Sequence, residues 1–331
     1  MESARQIPFS VLDLPPIRQG GSAAESFRNA LDLARHAERW GYRRFWLAEH
    51  HGIPGVASAA TAVLIAHVAG GTSTIRVGSG GIMLPNHPPL AIAEQFGTLE
   101  SLFPGRIDLG LGRAPGGDSR MVLALRGDPG AGDAFPRDLA ELRAYFRPGG
   151  PGGGLHAVPG EGLNIPIWLL GSSDFSARLA ARLGLPFAFA SHFAPDFLLG
   201  ALAIYRGEFR PSATLGAPYA MVGVNVFASD TDEEARRLFT SLQQSFLSFI
   251  RREPREIPPP VESMDPLWSP AERGHVERMT RCSAVGSLET VRRSIREIAR
   301  VTGADELIFS SQIYDHAARL RSFELASSAR D

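Results

Sequence analysis

The sequence predicts an α/β protein built as a single (β/α)8 TIM barrel, and three observations lead to this fold class. Short apolar runs alternate with amphipathic stretches, eight such runs can be counted, and a helical stretch follows the last one. Alternating strands and helices form a parallel sheet, and eight repeats favour a closed barrel, although the alternation alone also permits an open doubly wound sheet. The predicted strands are 7–12, 44–48, 75–84, 107–111, 165–170, 186–190, 219–228 and 306–311.

The predicted helices follow from capping residues and apolar spacing. The first is predicted over 22–40, because Ser22 can cap it, Glu25 lies three residues later and Gly41 ends it. Further helices are predicted at 57–70, 89–102 and 315–326. Single barrels often reach a length of 331 residues, so the whole of 1–331 is predicted as one domain.

Two segments interrupt the alternation, after the fourth and seventh predicted strands. Residues 114–162 include a run of proline and glycine at 148–154, and residues 251–281 include three consecutive prolines at 258–260. Active sites of barrels are built at the end where these loops lie, so we interpret both as lid-like insertions. A poorly ordered surface loop remains the alternative for the first.

Composition excludes several function classes. The formal net charge is −1, which gives no electrostatic footprint for nucleic acid or an anionic membrane. The chain contains no lysine, which excludes Schiff-base chemistry and a phosphate-binding lysine. Cys282 is the single cysteine, so no internal disulfide forms and no thiolate metal site is expected; no metal is predicted. The N-terminus lacks the apolar core of a signal peptide and no long apolar run follows, so we expect a cytoplasmic protein.

Two histidines end the second predicted strand, in the triplet Glu49-His50-His51. Successive side chains of a strand point to opposite sides, so one imidazole is expected to face the barrel mouth and the other the helix layer. A histidine in the mouth can donate or accept protons near neutral pH. Two structural histidines that bind loop carbonyls are the alternative.

Two successive strand ends can bind an anion. Arg113 follows the fourth predicted strand among glycines, and Gly171, Ser172 and Ser173 link the fifth to a helix. Arginine and free amides at a helix N-terminus both bind phosphate. An ion pair of Arg113 with Asp118, and simple capping by the serines, are the alternatives.

The third predicted strand contains Gly78, Gly80 and Gly81 and leads into an apolar run and a proline-rich turn. Glycine inside a strand marks a bulge or a close approach of the backbone to a ligand. The segment therefore suits a flat ring lying against the backbone, with a barrel kink as the alternative.

As a set, several segments resemble the bacterial luciferase-like flavin-dependent monooxygenases. The resemblance lies in Trp46-Leu47-Ala48-Glu49-His50-His51 and in the segments 76–85, 103–113, 303–307 and 314–322, and so spans nearly the whole chain. It implies a (β/α) barrel that binds flavin mononucleotide (FMN), reduced by a separate flavin reductase, in a protein that forms a homodimer.

The resemblance also implies roles for individual residues. His50 corresponds to the catalytic histidine, Arg113 to the phosphate arginine, and Ser172, Ser173 and Ser176 to the phosphate loop. Gly80-Gly81 corresponds to a cis peptide beneath the flavin ring. Two departures, Gly112 in place of a reactive cysteine and Ser172 in place of an acidic residue, speak against light emission from long-chain aldehydes.

The expected function is thus oxygenation of a small, apolar organic substrate by reduced FMN and O₂. The expected substrate pocket includes Leu12, Met83 and His192. A deazaflavin-dependent hydride-transfer oxidoreductase and a non-catalytic flavin-binding protein are the alternatives. The substrate itself cannot be read from the sequence, because the insertions that determine it carry no interpretable motif.

Overall fold

The computed structural model describes residues 6–113, 119–125 and 132–330. These residues form ten strands: β1 (Phe9–Asp13), β2 (Arg44–Leu47), β3 (Arg76–Ser79), β4 (Ile82–Met83), β5 (Ile107–Gly112), β6 (Ile167–Gly171), β7 (Phe187–Phe189), β8 (Ala220–Ala228), β9 (Ser283–Gly286) and β10 (Glu306–Ser310). All the strand pairings are parallel, and β10 pairs with both β1 and β8. Eight strands, β1–β3, β5–β8 and β10, therefore close into a barrel, which confirms the predicted (β/α)8 fold.

Helices surround this barrel. The described α-helices are α1 (Ala23–Arg39), α2 (Thr61–Gly70), α3 (Pro89–Leu102), α4 (Ser119–Leu125), α5 (Phe135–Tyr145), α6 (Asp174–Leu183), α7 (Leu198–Gly207), α8 (Asp232–Ile250), α9 (Pro270–Met279), α10 (Leu288–Thr302) and α11 (His316–Ser327). Ser22 caps α1 as predicted, because its hydroxyl accepts a hydrogen bond from the amide of Glu25 at 3.2 Å. None of the helices in the described residues is long and apolar enough to cross a membrane.

The structure differs from the predicted elements at three places. The predicted strand 75–84 is two short strands, β3 and β4, separated by Gly80-Gly81. The helix predicted over 57–70 begins at Thr61. The backbone before it is held by a distant segment, since the amide of Ala57 donates to the carbonyl of Pro15 at 2.9 Å. The third difference is β9, which pairs with the second half of β8 and was not predicted. Its four residues are too few to show the two-residue alternation of apolar side chains that indicates a strand.

Charged side chains close the barrel interior at its N-terminal end. Arg44 of β2 lies between Asp108 of β5, at 2.6 Å, and Glu306 of β10, at 3.0 Å. Ser10 also donates to Glu306, and Arg76 pairs with Asp108 at 2.7 Å. Each buried charge in this layer therefore has an opposite charge and further hydrogen bonds, which a low-dielectric site requires.

An apolar layer lies next to these charges inside the barrel. It consists of the buried side chains Leu12, Trp46, Ala48, Trp168, Ala188, Met221 and Ile308. Trp46 joins the two layers, since its indole nitrogen donates to Asp108 at 3.1 Å. With the charged and apolar layers filled, the C-terminal end of the barrel is where a ligand can bind.

The two predicted insertions carry secondary structure of their own. The first, 114–162, contains α4 and α5, and its residues 114–118 and 126–131 lie outside the described residues. The second, 251–281, contains α9. Before α9, Ile257 exchanges backbone hydrogen bonds of 2.9 Å with Ile17 and Gln19, in the loop that follows β1. The second insertion therefore runs beside the C-terminal end of the barrel.

The charged layer yields a stability prediction. Replacing Arg44 by leucine leaves Asp108 and Glu306 buried without their shared cation, so we expect unfolding free energy to fall by about 3–5 kcal/mol in urea titrations at pH 7. Arg300 is the matched control, because its side chain is 71% exposed and pairs with the exposed Glu297; Arg300→Leu is expected to cost less than about 1 kcal/mol. Similar losses for the two variants would contradict the assigned role of Arg44.

Candidate active site

The predicted site residues converge on the C-terminal end of the barrel. His50 follows β2, Gly80-Gly81 follows β3, Arg113 follows β5, Gly171 ends β6, and His192 lies three residues beyond β7. Since the strands are parallel, their carboxyl ends form one rim, and these five positions lie along it. The structure thus brings together residues that are up to 142 positions apart in the sequence (from His50 to His192).

One side of the rim is suited to an anion. The guanidinium of Arg113 is exposed and lies 4.2 Å from the ring centre of Phe175, in the first turn of α6. Ser173 is the N-cap of α6, but its side chain makes no capping hydrogen bond. The N-terminus of α6 therefore has no side-chain cap from Ser173 and lies next to a cation, the arrangement that binds phosphate. Asp118, the alternative partner of Arg113, lies outside the described residues.

The loop before α6 is shaped by contact between Gly171 and Ser176. A Cβ on Gly171 would lie 2.4 Å from the Ser176 hydroxyl, so only glycine fits there. Ser176 is buried by this contact, whereas Ser172 is exposed at the tip of the loop. Of the three predicted phosphate-loop serines, Ser172 and Ser173 are thus accessible to a ligand, and Ser176 supports the turn from below.

The backbone at Gly80 and Gly81 lies directly against neighbouring residues. The Gly80-Gly81 peptide is cis, as predicted. A Cβ on Gly80 would lie 2.6 Å from Leu12, and a Cβ on Gly81 would lie 2.8 Å from the carbonyl oxygen of Gly110. These contacts explain the glycines by close approach of the backbone. They also place Leu12, one of the predicted pocket residues, against this peptide.

His50 carries a buried imidazole whose Nδ1 has no hydrogen-bond partner among the described residues. Burial lowers the pKa of His50 to about 4, with a smaller opposite effect from the Glu49 charge. The ring is therefore neutral at neutral pH. An unpaired buried nitrogen is uncommon in folded proteins, so the Nδ1 of His50 is an exception that needs an explanation.

His192 resembles His50 in having an unpartnered ring nitrogen and a lowered pKa. Its Nδ1 is buried without a partner in the described part of the chain, and burial lowers its pKa to about 4. A positive charge on His50 would lower the pKa of His192 further. The third predicted pocket residue, Met83, is half-buried beside Gly112.

The carboxylate of Glu49 joins two loops of the rim. One oxygen accepts hydrogen bonds of 2.8 Å from both His51 and His87, and the other accepts one of 3.1 Å from the amide of Met83. Burial alone would raise the pKa of Glu49, but the hydrogen bonds from His51 and His87 outweigh it and lower the pKa to about 2. His51 therefore binds Glu49.

The side-chain atoms of Glu49, His51 and His87 lie within 4.8 Å of one another, a spacing that a metal ion could also use. Sequence analysis did not identify this cluster, since His87 belongs to a different loop. One nitrogen of each imidazole already hydrogen-bonds to the carboxylate, so the three side chains hold together without a cation.

A sequence profile of the luciferase-like monooxygenases matches residues 7–306. The chain belongs to the luciferase-like monooxygenase family. It is 56% identical over 328 residues to the luciferase-like monooxygenase of Escherichia coli (strain K12), covering 99% of this chain and 98% of that protein. It is 36% identical over 242 residues to N-acetyl-S-alkylcysteine monooxygenase of Bacillus subtilis (strain 168), covering 71% and 72%.

Solved structures are similar to the chain over nearly its whole length. The crystal structure of apo-MsnO8 has a TM-score of 0.87 at 36% identity and covers 98% of both chains. An FMN complex of the oxygenating constituent of 3,6-diketocamphane monooxygenase from Pseudomonas putida has a TM-score of 0.72 at 21% identity, with 97% of both chains covered. An F420-dependent secondary alcohol dehydrogenase reaches 0.71 at 13%, with 98% and 99% covered. The last two likenesses show the fold alone.

Sequence analysis missed the roles of Glu49 and His87 and the contact of Gly223 with His192, where a Cβ on the glycine would lie 2.5 Å from the imidazole Nδ1. Gly223 lies inside the apolar strand β8, where a lone glycine signals close approach of another group. That signal was available. The contact between Glu49 and His87 had no local signal, because it depends on how two loops meet.

The low pKa of Glu49 predicts a pH-dependent effect of its replacement. A carboxylate whose pKa falls on folding from 4.5 to about 2 stabilises the fold above pH 4.5 and loses this contribution as the pH falls towards 2. We expect Glu49→Gln to lower the unfolding free energy by about 3 kcal/mol at pH 6 and by progressively less below pH 4, in urea titrations.

The control for this measurement is Glu277→Gln, whose carboxylate is exposed on α9. We expect this variant to change stability little at any pH. A loss for Glu49→Gln that stays constant between pH 6 and pH 3 would contradict the assigned ionised state.

Proposed function

We propose that the protein is a flavin-dependent monooxygenase that uses reduced FMN and O₂ to oxygenate a small, apolar organic substrate. One observation carries the proposal: an exposed arginine beside an uncapped helix N-terminus lies on the same barrel rim as an unpartnered imidazole and a glycine peptide. These features suit, in turn, the phosphate, the reacting centre and the flat ring of a flavin nucleotide.

The residues present fit FMN. Arg113 would pair with the phosphate, and the loop of Gly171, Ser172 and Ser173 would donate backbone amides to it, supported by Ser176. Gly80 and Gly81, which lack side chains, would let the ring approach the backbone. Reduced FMN, when bound, supplies the electrons that activate O₂.

His50 is the proposed catalytic residue. Because burial holds its pKa near 4, the ring is neutral at neutral pH and offers one N–H donor and one acceptor nitrogen to the reacting groups. The apolar layer, which includes Leu12, excludes water from the side of the site that faces the barrel interior. The segment 251–281 runs beside the outer side of the site. Exclusion of water strengthens every polar contact in such a site.

Leu12, Met83 and His192 are the proposed substrate-binding residues. The relative that is 36% identical is described as acting on N-acetyl-S-alkylcysteine, so thioethers belong in the first panel of test substrates. We further propose that a separate reductase supplies the reduced flavin, and that the protein is a cytoplasmic homodimer.

The proposal is tested by oxygen labelling. The full chain is incubated under ¹⁸O₂ with FMN, NADH, a flavin reductase and a panel of thioethers, cyclic ketones and terpenes. We expect one ¹⁸O atom in a product, measured by mass spectrometry. Deazaflavin is tested in a parallel incubation. Tight binding of deazaflavin together with an unlabelled product would favour hydride transfer. Binding of flavin without any product would favour a non-catalytic protein.

The same assay tests His50. We expect His50→Ala to lower turnover by about 10²–10⁴, the usual range for acid–base catalysis, with flavin affinity changed by a factor of a few. His51→Ala is the matched control, because His51 binds Glu49. It is expected to act mainly on stability. A larger loss of turnover for His51→Ala would contradict the assignment of His50.

A further inference from the structure

We propose that Glu49, His51 and His87 form a binding site for one divalent transition-metal ion, such as Zn²⁺, at the rim of the barrel. The proposal goes beyond the function given above and does not depend on it, because neither flavin nor substrate takes part in the contact. The ion would join the loop that carries His50 to the loop that follows β4.

The first observation is that three donor atoms converge. Nε2 of His51 and Nε2 of His87 each lie 2.8 Å from the same oxygen, Oε1 of Glu49, and the three ligand atoms all lie within 4.8 Å of one another. Zn²⁺ binds imidazole nitrogen and carboxylate oxygen at about 2.0–2.2 Å, which puts two ligand atoms of a tetrahedral ion about 3.4 Å apart. Rotations of the two imidazoles that lengthen each hydrogen bond by about half an ångström therefore make room for an ion.

The second observation is that other groups orient the carboxylate. The amide of Met83 donates to Oε2 of Glu49 at 3.1 Å, and the side-chain amide of Asn86 donates to Oε1 at 3.4 Å. Hydrogen bonds of this kind orient the carboxylate ligands of metal sites. The carboxylate is thus fixed before an ion binds. The side chains of His51 and His87 are 11% and 25% exposed, so an ion has access to the cluster from solvent.

The third observation concerns charge. The Glu49 side chain is only 1% exposed, and within the described residues it forms ion pairs with the two imidazoles and with no arginine. A neutral imidazole hydrogen-bonds to a carboxylate without cancelling its charge. The Glu49 carboxylate therefore lacks the permanent cation that Arg44 supplies to Asp108 and Glu306, and a divalent ion would provide it.

The ligand set determines the class of ion. Two imidazoles and one carboxylate are ligands that Zn²⁺, Co²⁺ and Ni²⁺ bind well. Mg²⁺ and Ca²⁺ prefer oxygen ligands, and the only side chain of this cluster that offers oxygen is Glu49. Three protein ligands leave a further coordination position of the ion for water.

A second cluster of the same residue types provides a matched control. Asp32 of α1 pairs through one carboxylate oxygen with Nε2 of His316 at 2.9 Å, and through the other with Nδ1 of His36 at 3.5 Å. The two imidazoles therefore approach different oxygens, and the side chain of Asp32 is 46% exposed. Because the donor atoms do not converge on one point, we expect this cluster to bind no ion at concentrations that saturate the rim site.

The test is isothermal titration calorimetry of the full chain with Zn²⁺ and with Mg²⁺, after a chelator has removed any bound metal. We expect one Zn²⁺ ion to bind per chain, and Mg²⁺ to bind far more weakly. Zn²⁺ is also expected to raise the thermal unfolding temperature, since an ion that binds only the folded chain stabilises it. Equal affinities for the two ions, or no binding of Zn²⁺, would overturn the proposal.

Variants separate ligation of an ion from hydrogen bonding to Glu49. His87→Gln and His51→Gln each keep a side-chain N–H that can donate to the carboxylate, but they remove an imidazole nitrogen. We expect each to weaken Zn²⁺ binding by about 100-fold, since loss of even an outer partner of a metal ligand costs about 10–100-fold in affinity. Each should also remove most of the rise in unfolding temperature that Zn²⁺ causes in the wild type.

His316→Gln, in the control cluster, should bind Zn²⁺ as the wild type does. Zn²⁺ binding of wild-type affinity in both His87→Gln and His51→Gln, or its loss in His316→Gln, would overturn the proposal. The titrations contain no flavin, so their outcome is independent of whether the rim binds FMN.

Discussion

A carboxylate that is removed from water must find its hydrogen-bond donors within the protein, and Glu49 finds them in two loops of the barrel. It accepts from His51 in its own loop, from the amide of Met83 at the end of β4, and from His87 in the loop beyond β4. The position of His50 and that of the Gly80-Gly81 peptide are therefore linked through one side chain. Glu49 thus fixes the loop that carries His50 against the segment that follows Gly80-Gly81.

The interior of the barrel confines ligand binding to that rim. Arg44, Asp108 and Glu306 close the N-terminal end, and the layer containing Trp46 and Trp168 fills the space next to it. Close packing is what removes water from the proposed reacting centre. It also accounts for the low pKa of His50 and of His192, since burial is the main cause in both. The packing that forms the barrel therefore also keeps His50 and His192 neutral.

Local patterns predicted the parts of the structure that depend on local interactions. The alternation of apolar runs gave the eight barrel strands, and Ser22 with Glu25 gave the start of α1. The split of the strand predicted at 75–84 and the late start of α2 were missed, because contacts with distant residues decide them: Gly81 against Gly110, and Ala57 with Pro15. At the site, strand ends predicted that His50, Arg113 and Ser173 lie on one rim of the barrel, and the structure places them there. The partnerships of Glu49 with His87 and of His192 with Gly223 required the tertiary structure.

The central claim is that this rim binds FMN with its phosphate between Arg113 and the N-terminus of α6. The most direct measurement compares the affinities of FMN and riboflavin for the wild type, for Arg113→Ala and for Arg178→Ala, an arginine of α6 that pairs with Glu208. The account predicts that only Arg113→Ala weakens FMN binding, by about 2–4 kcal/mol, and that riboflavin binding is nearly unchanged. Equal losses for FMN and riboflavin, or an equal effect of Arg178→Ala, would contradict it.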